Sequence, residues 1–220
     1  MKLSKKTLEI FKNFSILNPI LFVPEGNVLR TKSPGGGIIA KAVLDEQFPS
    51  DFLIGDVPQF INTIGLLDEP EIEFQENFLN IVGGGTSIRF FYGNILNIPD
   101  VLEHDVVLPS VDISFKLSSK ELKNLTQAAN VLQNPDLVIT QQVDGLYIKS
   151  CHEANATANV YEMKIEEYTA SEDRHGETIV FDVNNFQFIQ AGYNVEISLD
   201  GLAKFSFEDI LSYWVSAKAS

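Results

Sequence analysis

The alternation of apolar and polar positions predicts a regular succession of helices and short strands. Near the N-terminus, apolar side chains recur at helical spacing while Lys and Glu side chains take the opposite side. This pattern predicts an amphipathic helix that Ser4 caps and that runs to about Leu17. The apolar positions of this helix are Leu3, Ile10, Phe11, Phe14 and Leu17.

Three further segments carry helix start signals. The second helix is predicted to open at Asp56, with Pro58 in its first turn, and to run to about Leu67. The third opens with a capping box of Ser118 and Glu121. The fourth is a short helix that opens at Asp182. The predicted buried face of the third helix comprises Leu122, Leu125, Ala129 and Leu132.

Runs of four to eight strand-like residues, broken by turn residues, follow each of these helices. Each helix is thus followed by about three strands, four times over, which predicts an α+β fold with antiparallel sheets. In chain order the runs are ILFV, NVLRTK and GIIAKAVL; EIEF, FLNIVG and TSIRFFYG; DLVITQQ, GLYIKS and TANVYEMKI; YNVEISL, AKFSF and SYWVSAKA.

Two short motifs occur twice and indicate a tandem duplication. LSKKTL at 3–8 matches LSSKEL at 117–122, and a D-V-x-x-F stretch at 56–60 matches another at 182–186, so the offsets are about 114 and 126 residues. The stretch between the halves has no period and contains two prolines. We therefore predict two similar domains, residues 1–94 and 111–220, joined by a linker over 95–110.

Charge and composition narrow the class of protein. The net charge of −14 argues against a nucleic-acid binder if it is taken as a whole. Cys151 is the single cysteine, so an intrachain disulfide is excluded and the chain is compatible with a reducing compartment. The basic N-terminus lacks the uninterrupted apolar region of a signal peptide, and Asn18 and Pro19 interrupt the longest apolar stretch. We predict a cytoplasmic protein without a membrane segment.

Candidate catalytic motifs are weak. HEANA at 152–156 lacks the second His of a zinc site, and adjacent Cys151 and His152 on a strand point to opposite faces. SPGGG and VGGGTS lack the Lys of a phosphate loop and are typical of hairpin turns. The acidic EEYTASEDRHGE stretch has no calcium-loop spacing. We predict no enzyme activity, no metal and no cofactor.

Lysines are the exception, because seven of the 16 basic residues lie in two short windows that open equivalent helices. One charged helix face is ordinarily a solvated face. The same enrichment at both equivalent places, in so acidic a chain, favours an anion-binding face. The lysines are Lys2, Lys5, Lys6 and Lys12 in the first window, and Lys116, Lys120 and Lys123 in the other.

Several stretches together resemble a known family, the DNA polymerase sliding clamps of the T-even bacteriophage type. The stretches are MKLSK followed by KNF, IGDVPQF, the run ending SSKELKNL, AGYNVEISLDGLAKFSF and YWVSA, which follow the family's order along the whole chain. The resemblance implies a non-enzymatic processivity factor. In this family each domain is a pair of helix-plus-sheet units.

The resemblance implies that six domains close a ring, so a two-domain chain forms a homotrimer with helices lining the pore and sheets outside. It also implies sequence-independent binding of double-stranded DNA, tethering of the replicative DNA polymerase, loading by an ATP-dependent clamp loader and, for a phage protein, residence in the bacterial cytoplasm. The implied DNA-facing residues are Lys2, Lys5, Lys6, Lys12, Lys120 and Lys123.

Two further sites follow from the resemblance. Rings of this family close by pairing of edge strands, which by position implicates Ser87, Phe90 and Phe91 in the first domain and Val160, Tyr161 and Met163 in the second. Partner proteins of the family dock short peptide tails near the interdomain linker. The linker residues implied in this pocket are Leu96, Ile98, Val101 and Leu102.

Two other interpretations remain open at the level of sequence. A duplicated β-rich structural or interaction protein without a DNA role would share the repeat but need no basic helix faces. An acid–base hydrolase could use the duplicated Asp56 and Asp182, although no partner base accompanies them. The second and fourth predicted helices contain no Lys or Arg, so we expect the intrinsic affinity for DNA to be weak.

Overall fold

The chain forms two compact α+β units in a computed structural model, which describes residues 1–94, 104–171 and 176–218. Unit 1 comprises residues 1–35 and 39–94, and unit 2 comprises 36–38 and the described residues from 104 onward. The predicted linker lies partly outside the described residues, so its bounds stay a prediction. None of the helices in the described ranges is long and apolar enough to cross a membrane.

Unit 1 contains two helices and seven strands. In chain order they are α1 (Lys5–Leu17), β1 (Leu21–Val23), β2 (Gly26–Lys32), β3 (Ile38–Phe48), β4 (Phe52–Ile54), α2 (Val57–Ile64), β5 (Glu71–Phe74), β6 (Phe78–Gly83) and β7 (Thr86–Phe91). Strand β1 pairs with β4, β2 with β3, and β5, β6 and β7 form a meander, all antiparallel. The first strand after α1 therefore pairs with the strand that leads into α2.

Unit 2 contains one helix and nine strands among the described residues. In chain order they are β8 (Ile113–Leu117), α3 (Ser119–Leu132), β9 (Asp136–Gln142), β10 (Gly145–Cys151), β11 (Tyr161–Ile165), β12 (Tyr168–Ala170), β13 (Thr178–Asp182), β14 (Tyr193–Ser198), β15 (Leu202–Phe207) and β16 (Leu211–Ser216). One sheet has the order β11-β10-β9-β13, and another contains β12-β8-β14-β15-β16.

The order of elements in unit 2 repeats that of unit 1. After α3, the first strand β9 pairs with β13, just as β1 pairs with β4 after α1. The meander β14-β15-β16 then corresponds to β5-β6-β7. The predicted α+β architecture of two similar domains is thereby confirmed.

Aromatic side chains fill the core of unit 1. The ring of Phe11 on α1 lies 6.1 Å from that of Phe60 on α2 and 6.3 Å from that of Phe48 on β3, and Phe60 in turn meets Phe90 at 5.2 Å. All of these except Phe90 are almost fully buried. Because α1 and α2 both bury their apolar faces, their polar faces are left outward.

The short helix predicted to open at Asp182 is present, with Asp182 as its N-cap, but it is a single 3₁₀ turn over Val183–Asn185 and not an α-helix. Phe186 and Phe188 are both buried, and their rings lie 5.4 and 5.0 Å from that of Phe205. Residues two apart share a side in extended chain but not in a helix. Burial of both rings on the same partner therefore favours an extended path after the turn.

Other differences from the predicted elements are small. Helix α2 ends at Ile64, before Gly65, rather than near Leu67, and Leu132 of α3 is half-buried. Strand β11 begins only at Tyr161, because Asn155 forms a turn in which its side chain accepts from the Thr157 N–H at 3.1 Å. The strands β4, β8, β12 and β13 were not among the predicted runs.

Candidate functional site

Helix α1 obtains its N-terminal cap from two places in unit 1. Ser4 is the N-cap, and its hydroxyl accepts from the Thr7 N–H at 3.1 Å, as predicted. The carboxylate of Glu46 on β3 accepts hydrogen bonds from the Ser4 N–H and the Thr7 hydroxyl. The first turn of α1 has no acidic residue of its own, so a strand supplies the negative charge that the helix dipole favours there.

Carboxylates also engage two of the predicted DNA-facing lysines. The Lys6 Nζ lies 3.0 Å from Asp45 Oδ1, and the Lys2 Nζ lies 3.2 Å from Glu69 Oε2. The hydrogen bond from Lys6 holds the pKa of the Asp45 carboxyl below its usual value. Lys5 and Lys12 are exposed, and neither has an ion pair within the described residues.

Helix α3 caps itself. The Ser118 hydroxyl accepts from the Glu121 N–H at 3.2 Å, and Glu121 Oε2 accepts from the Ser118 N–H at 2.8 Å, which confirms the predicted capping box. Leu122, Leu125 and Ala129 are buried. The opposite face is exposed and carries Lys120 and Lys123, followed by Gln127 and Asn130.

Lys120 and Lys123 have no carboxylate partner in the part of the chain that the structure describes. Lys116 does not belong to their stripe, because it lies on strand β8, opposite Asn194, before the helix begins. Although Lys116, Lys120 and Lys123 stand at i, i+4 and i+7 in the sequence, which is helical spacing, they do not share a helix face. The positive face of α3 consists of two free lysines with amide side chains beyond them.

The two duplicated aspartates are caps. The Asp56 carboxylate accepts from the Gln59 N–H at 2.8 Å, and the Asp182 carboxylate accepts from the Asn184 N–H at 2.9 Å. Each carboxylate thus accepts a hydrogen bond from the turn that it opens. The hydrolase interpretation loses its motivation, because these side chains serve local structure.

Strand β7 is an edge strand of the sheet in unit 1. Of the residues predicted there as interface residues, Ser87 and Phe91 are exposed and Phe90 is half-buried. The exposed fraction of Phe91 is 66%, which is unusual for so large an apolar side chain. Gly84 and Gly85, with φ of +57° and +78°, form the two-residue turn before β7.

Strand β11 is an edge strand of the sheet in unit 2. Tyr161 and Met163 are half-buried on it, and Val160, directly before it, is 55% exposed. The buried Asn134 after α3 positions this segment, because its side-chain amide donates to the Asn159 carbonyl at 3.1 Å and to the Ser150 carbonyl at 2.9 Å. Both sets of predicted interface residues thus lie on, or directly before, edge strands that have no further partner among the described residues.

The predicted partner pocket residues Leu96, Ile98, Val101 and Leu102 lie outside the described residues. A cleft of about 840 Å³ does occur in unit 2, where the C-terminal segment meets β13. In it, Lys218 Nζ donates to Asp136 Oδ1 at 2.5 Å. Burial alone would raise the pKa of Asp136, but hydrogen bonds from Lys218 and the Glu153 N–H lower it overall. Sequence reasoning missed this pair, whose members are 82 positions apart.

Cys151 is a structural residue. Its side chain is buried, burial raises the pKa of the thiol, and the neighbouring His152 is exposed. A buried, protonated thiol is a poor nucleophile. Among residues 1–94, 104–171 and 176–218, no group of three or more His, Cys, Asp or Glu side chains is placed to hold a metal ion.

The sequence is similar to those of phage proteins along its whole length. It is 25% identical to the sliding clamp of Vibrio phage KVP40 over 224 residues, which cover all of both chains. It is 24% identical to the sliding clamp of Escherichia phage RB69, over 90% of this chain and 83% of that protein. No family model matches the chain.

The fold is similar to those of cellular clamps. A. fulgidus PCNA, solved with the C-terminal region of FEN-1, superposes with a TM-score of 0.71 at 10% identity, covering 100% of this chain and 97% of that one. The DNA polymerase III subunit beta from Pseudomonas aeruginosa gives a TM-score of 0.71 at 15% identity, covering 100% of this chain and 66% of that one.

Sliding clamps are processivity factors and not enzymes, and the kinship with them confirms the prediction that the chain is not an enzyme. The same kinship agrees with the role of Asp56 and Asp182 as caps. In sequence the chain is a relative of the T4-type phage sliding clamps, and it has the sliding-clamp fold.

Proposed function

We propose that the chain assembles into a homotrimeric ring that encircles duplex DNA and tethers the replicative DNA polymerase during phage replication. The observation that carries this proposal is that β7 in unit 1 and β11 in unit 2 are both sheet-edge strands without a further partner strand in the described residues. Exposed edge strands with apolar side chains are prone to pair with another chain. Two different edges on one chain allow head-to-tail contacts that a ring can close.

Three copies supply the six domains that the resemblance requires of a ring. The phage relatives bear the name sliding clamp, and the chain spans the full length of the KVP40 protein. A ring holds its DNA by topology, so it needs no tight intrinsic affinity. This property fits a chain with a net charge of −14.

The DNA-facing surface is proposed to comprise the exposed faces of α1 and α3, with Lys2, Lys5, Lys6, Lys12, Lys120 and Lys123. These lysines would contact phosphates, and phosphate contacts carry no sequence information. Attraction of this kind is independent of base sequence and falls with salt, which suits a protein that must slide. The acidic remainder of the chain would repel nucleic acid elsewhere.

Partner proteins are proposed to be the replicative polymerase and an ATP-dependent clamp loader, in the cytoplasm of the bacterial host. The A. fulgidus PCNA structure contains the C-terminal region of FEN-1, which shows that a clamp of this fold takes a partner's terminal segment. For this chain we propose that Leu96, Ile98, Val101 and Leu102 receive such a segment. The paired substitutions Ile98→Asp and Leu102→Asp should then abolish binding of a polymerase tail peptide.

The decisive experiment is retention on DNA. With clamp loader and ATP, the protein should stay on closed circular DNA through gel filtration and should be lost when a restriction enzyme linearises the circle. The solution mass should equal three chains. Equal retention on linear and circular DNA, or a monomer at every concentration tested, would contradict the ring and favour a β-rich structural role.

A further inference from the structure

We propose that β7 of one copy pairs with β11 of the next in a single antiparallel register, with Arg89 opposite Glu162. This inference rests on the proposed ring and specifies how its subunits meet. In this register Phe91 lies opposite Val160, and Ser87 lies opposite Lys164. The Arg89–Glu162 pair then determines both the partner and the alignment.

The side-chain alternation of the two strands restricts the pairing. On β7, Ile88 and Phe90 are half-buried, while the exposed residues are Ser87, Arg89 and Phe91. On β11, Tyr161 and Met163 are half-buried, while Glu162 and Lys164 are exposed. In a continuous sheet the half-buried residues of neighbouring strands lie on one face and the exposed residues lie on the other. A shift of the register by one position would place half-buried residues opposite exposed ones. The registers that remain possible therefore differ from one another by steps of two positions.

The backbone hydrogen-bond pattern agrees with this restriction. A two-residue turn, Gly84–Gly85, joins β6 to β7, so Gly83 and Thr86 form a hydrogen-bonded pair, and alternate residues from Thr86 onward bond to β6. The free backbone N–H and C=O groups of β7 therefore belong to its exposed residues, Arg89 among them.

On strand β11, too, the free backbone N–H and C=O groups belong to the exposed residues. The β9–β10 turn is also two residues long, so Gln142 and Gly145 form its closing pair and alternate residues of β10 bond to β9. The other residues of β10 form backbone hydrogen bonds with β11; Ile148, for example, lies opposite Met163. Glu162 and Lys164 are left with outward backbone groups. In the proposed pairing, exposed residues of β7 thus lie opposite exposed residues of β11, and both have free backbone groups that can form hydrogen bonds.

Charge selects one register from those that remain. In the proposed register Arg89 meets Glu162, and opposite charges across a strand pair attract. A shift by two in one direction places Arg89 opposite Lys164, which is repulsive. A shift in the other direction places Arg89 opposite the apolar Val160. Only the proposed register pairs the exposed Phe91 with another exposed apolar side chain.

The residues opposite Arg89 and Glu162 within their own sheets also favour this pairing. Within its own unit Arg89 lies opposite Asn80, and its guanidinium lies 5.3 Å from the ring centroid of Phe78. Glu162 lies opposite Lys149 on β10. Neither Arg89 nor Glu162 has an ion pair within the described residues. Pairing in the proposed register places Glu162 between two cations across three strands.

Charge reversal tests the pair. Arg89→Glu and Glu162→Arg should each weaken trimer formation about tenfold per contact, because attraction becomes repulsion at every interface. The double variant restores opposite charges and should assemble far better than either single variant. Sedimentation equilibrium over a concentration series measures this. A double variant that assembles no better than the single variants would overturn the pairing.

Engineered disulfides test the register directly, since the native Cys151 is buried and should not interfere. Hydrogen-bonded antiparallel pairs have Cα atoms about 5.5 Å apart, within disulfide range. Ser87→Cys with Lys164→Cys should therefore crosslink chains on mild oxidation, up to trimers on a non-reducing gel. Ser87→Cys with Glu166→Cys reports one shifted register, and Phe91→Cys with Ala158→Cys reports the other.

The outcomes separate the register from the ring. A trimer that crosslinks through either shifted pair, or that fails to crosslink through Ser87→Cys with Lys164→Cys, overturns the register and leaves the proposed ring standing. A chain that remains monomeric with native residues overturns both. Crosslinking through the first pair alone supports both.

Discussion

Helices α1 and α3 begin with nearly the same sequence, LSKKTL and LSSKEL, but their N-termini receive negative charge from different sources. Helix α3 carries Glu121 in its first turn and completes its own capping box. Helix α1 has Thr7 at that position, and Glu46 on β3 supplies the carboxylate instead. The neighbouring Asp45 and the more distant Glu69 then bind Lys6 and Lys2.

This difference means that the number of lysines alone does not determine how positive a helix face is. At α1, carboxylates near the start of the helix form ion pairs with two of the four lysines and partly neutralise their charge. At α3 both lysines remain free of carboxylates within the described residues. If the helices contact DNA, α3 should contribute more attraction for each lysine than α1.

The largest expected effect is on binding to a short duplex at low salt. Lys120→Ala with Lys123→Ala should weaken binding on the order of 50-fold, since each lost phosphate contact removes released counterions. Lys2→Ala with Lys6→Ala removes the same charge but should cost only about fivefold, because those ammonium groups are already shared with Glu69 and Asp45. Fluorescence anisotropy over a salt series measures both.

A matched control runs in the opposite direction. Asp45→Asn with Glu69→Gln releases Lys2 and Lys6 and should bring the α1 face closer to the strength of the α3 face. Equal losses for the two lysine pairs in the native background would contradict the comparison.

The second helical elements of the units differ as well, and this predicts an intermediate effect. Asp56 caps an eight-residue helix, whereas Asp182 caps a single 3₁₀ turn. Asp56→Ala should lower the free energy of unfolding by about 1 kcal/mol, and Asp182→Ala by clearly less. Denaturant titration gives both values. Asp56→Asn, which retains a capping oxygen, should stay close to the native protein.

The smallest effect concerns the pH dependence of the Lys6–Asp45 pair. The pKa of Asp45 is lowered in the folded chain, so the pair contributes at pH values above the ordinary Asp pKa of about 3.9 and is lost as pH falls through the folded value. In Lys6→Ala the Asp45 pKa should rise toward its ordinary value. NMR titration of the carboxyl carbon measures the shift. An ordinary Asp45 pKa in the native protein would mean that Lys6 is free in solution.

The elements that the sequence predicted well are those with local signals. Ser4, Asp56 and Ser118 act over three residues, and the two-residue turn at Gly84–Gly85 is local too. Strand β4 was missed because Phe52, Leu53 and Ile54 are all buried and show no alternation. The fourth helix proved to be a single 3₁₀ turn because D-V-x-x-F fits either kind of helix start, and the Phe186–Phe205 contact that limits its length is distant in sequence.

The candidate site follows the same division. Periodicity placed Lys120 and Lys123 correctly on an exposed helix face, but it could not show that Lys116 precedes the helix on a strand. The ion pairs of Lys6 with Asp45 and of Lys2 with Glu69 span 39 and 67 positions, so no local pattern reveals them. Which lysines remain free depends on tertiary structure alone.

The dissimilarity of the β7 and β11 edges also bears on how an assembly would form. Two copies joined through one such contact keep one unused edge of each kind, so a dimer satisfies no more than half of its edges. In a closed trimer the last contact forms within one particle, at an effective concentration set by geometry and not by dilution. Three individually weak strand pairings can thus give a persistent ring, and the loss of one of them opens the particle without dispersing it.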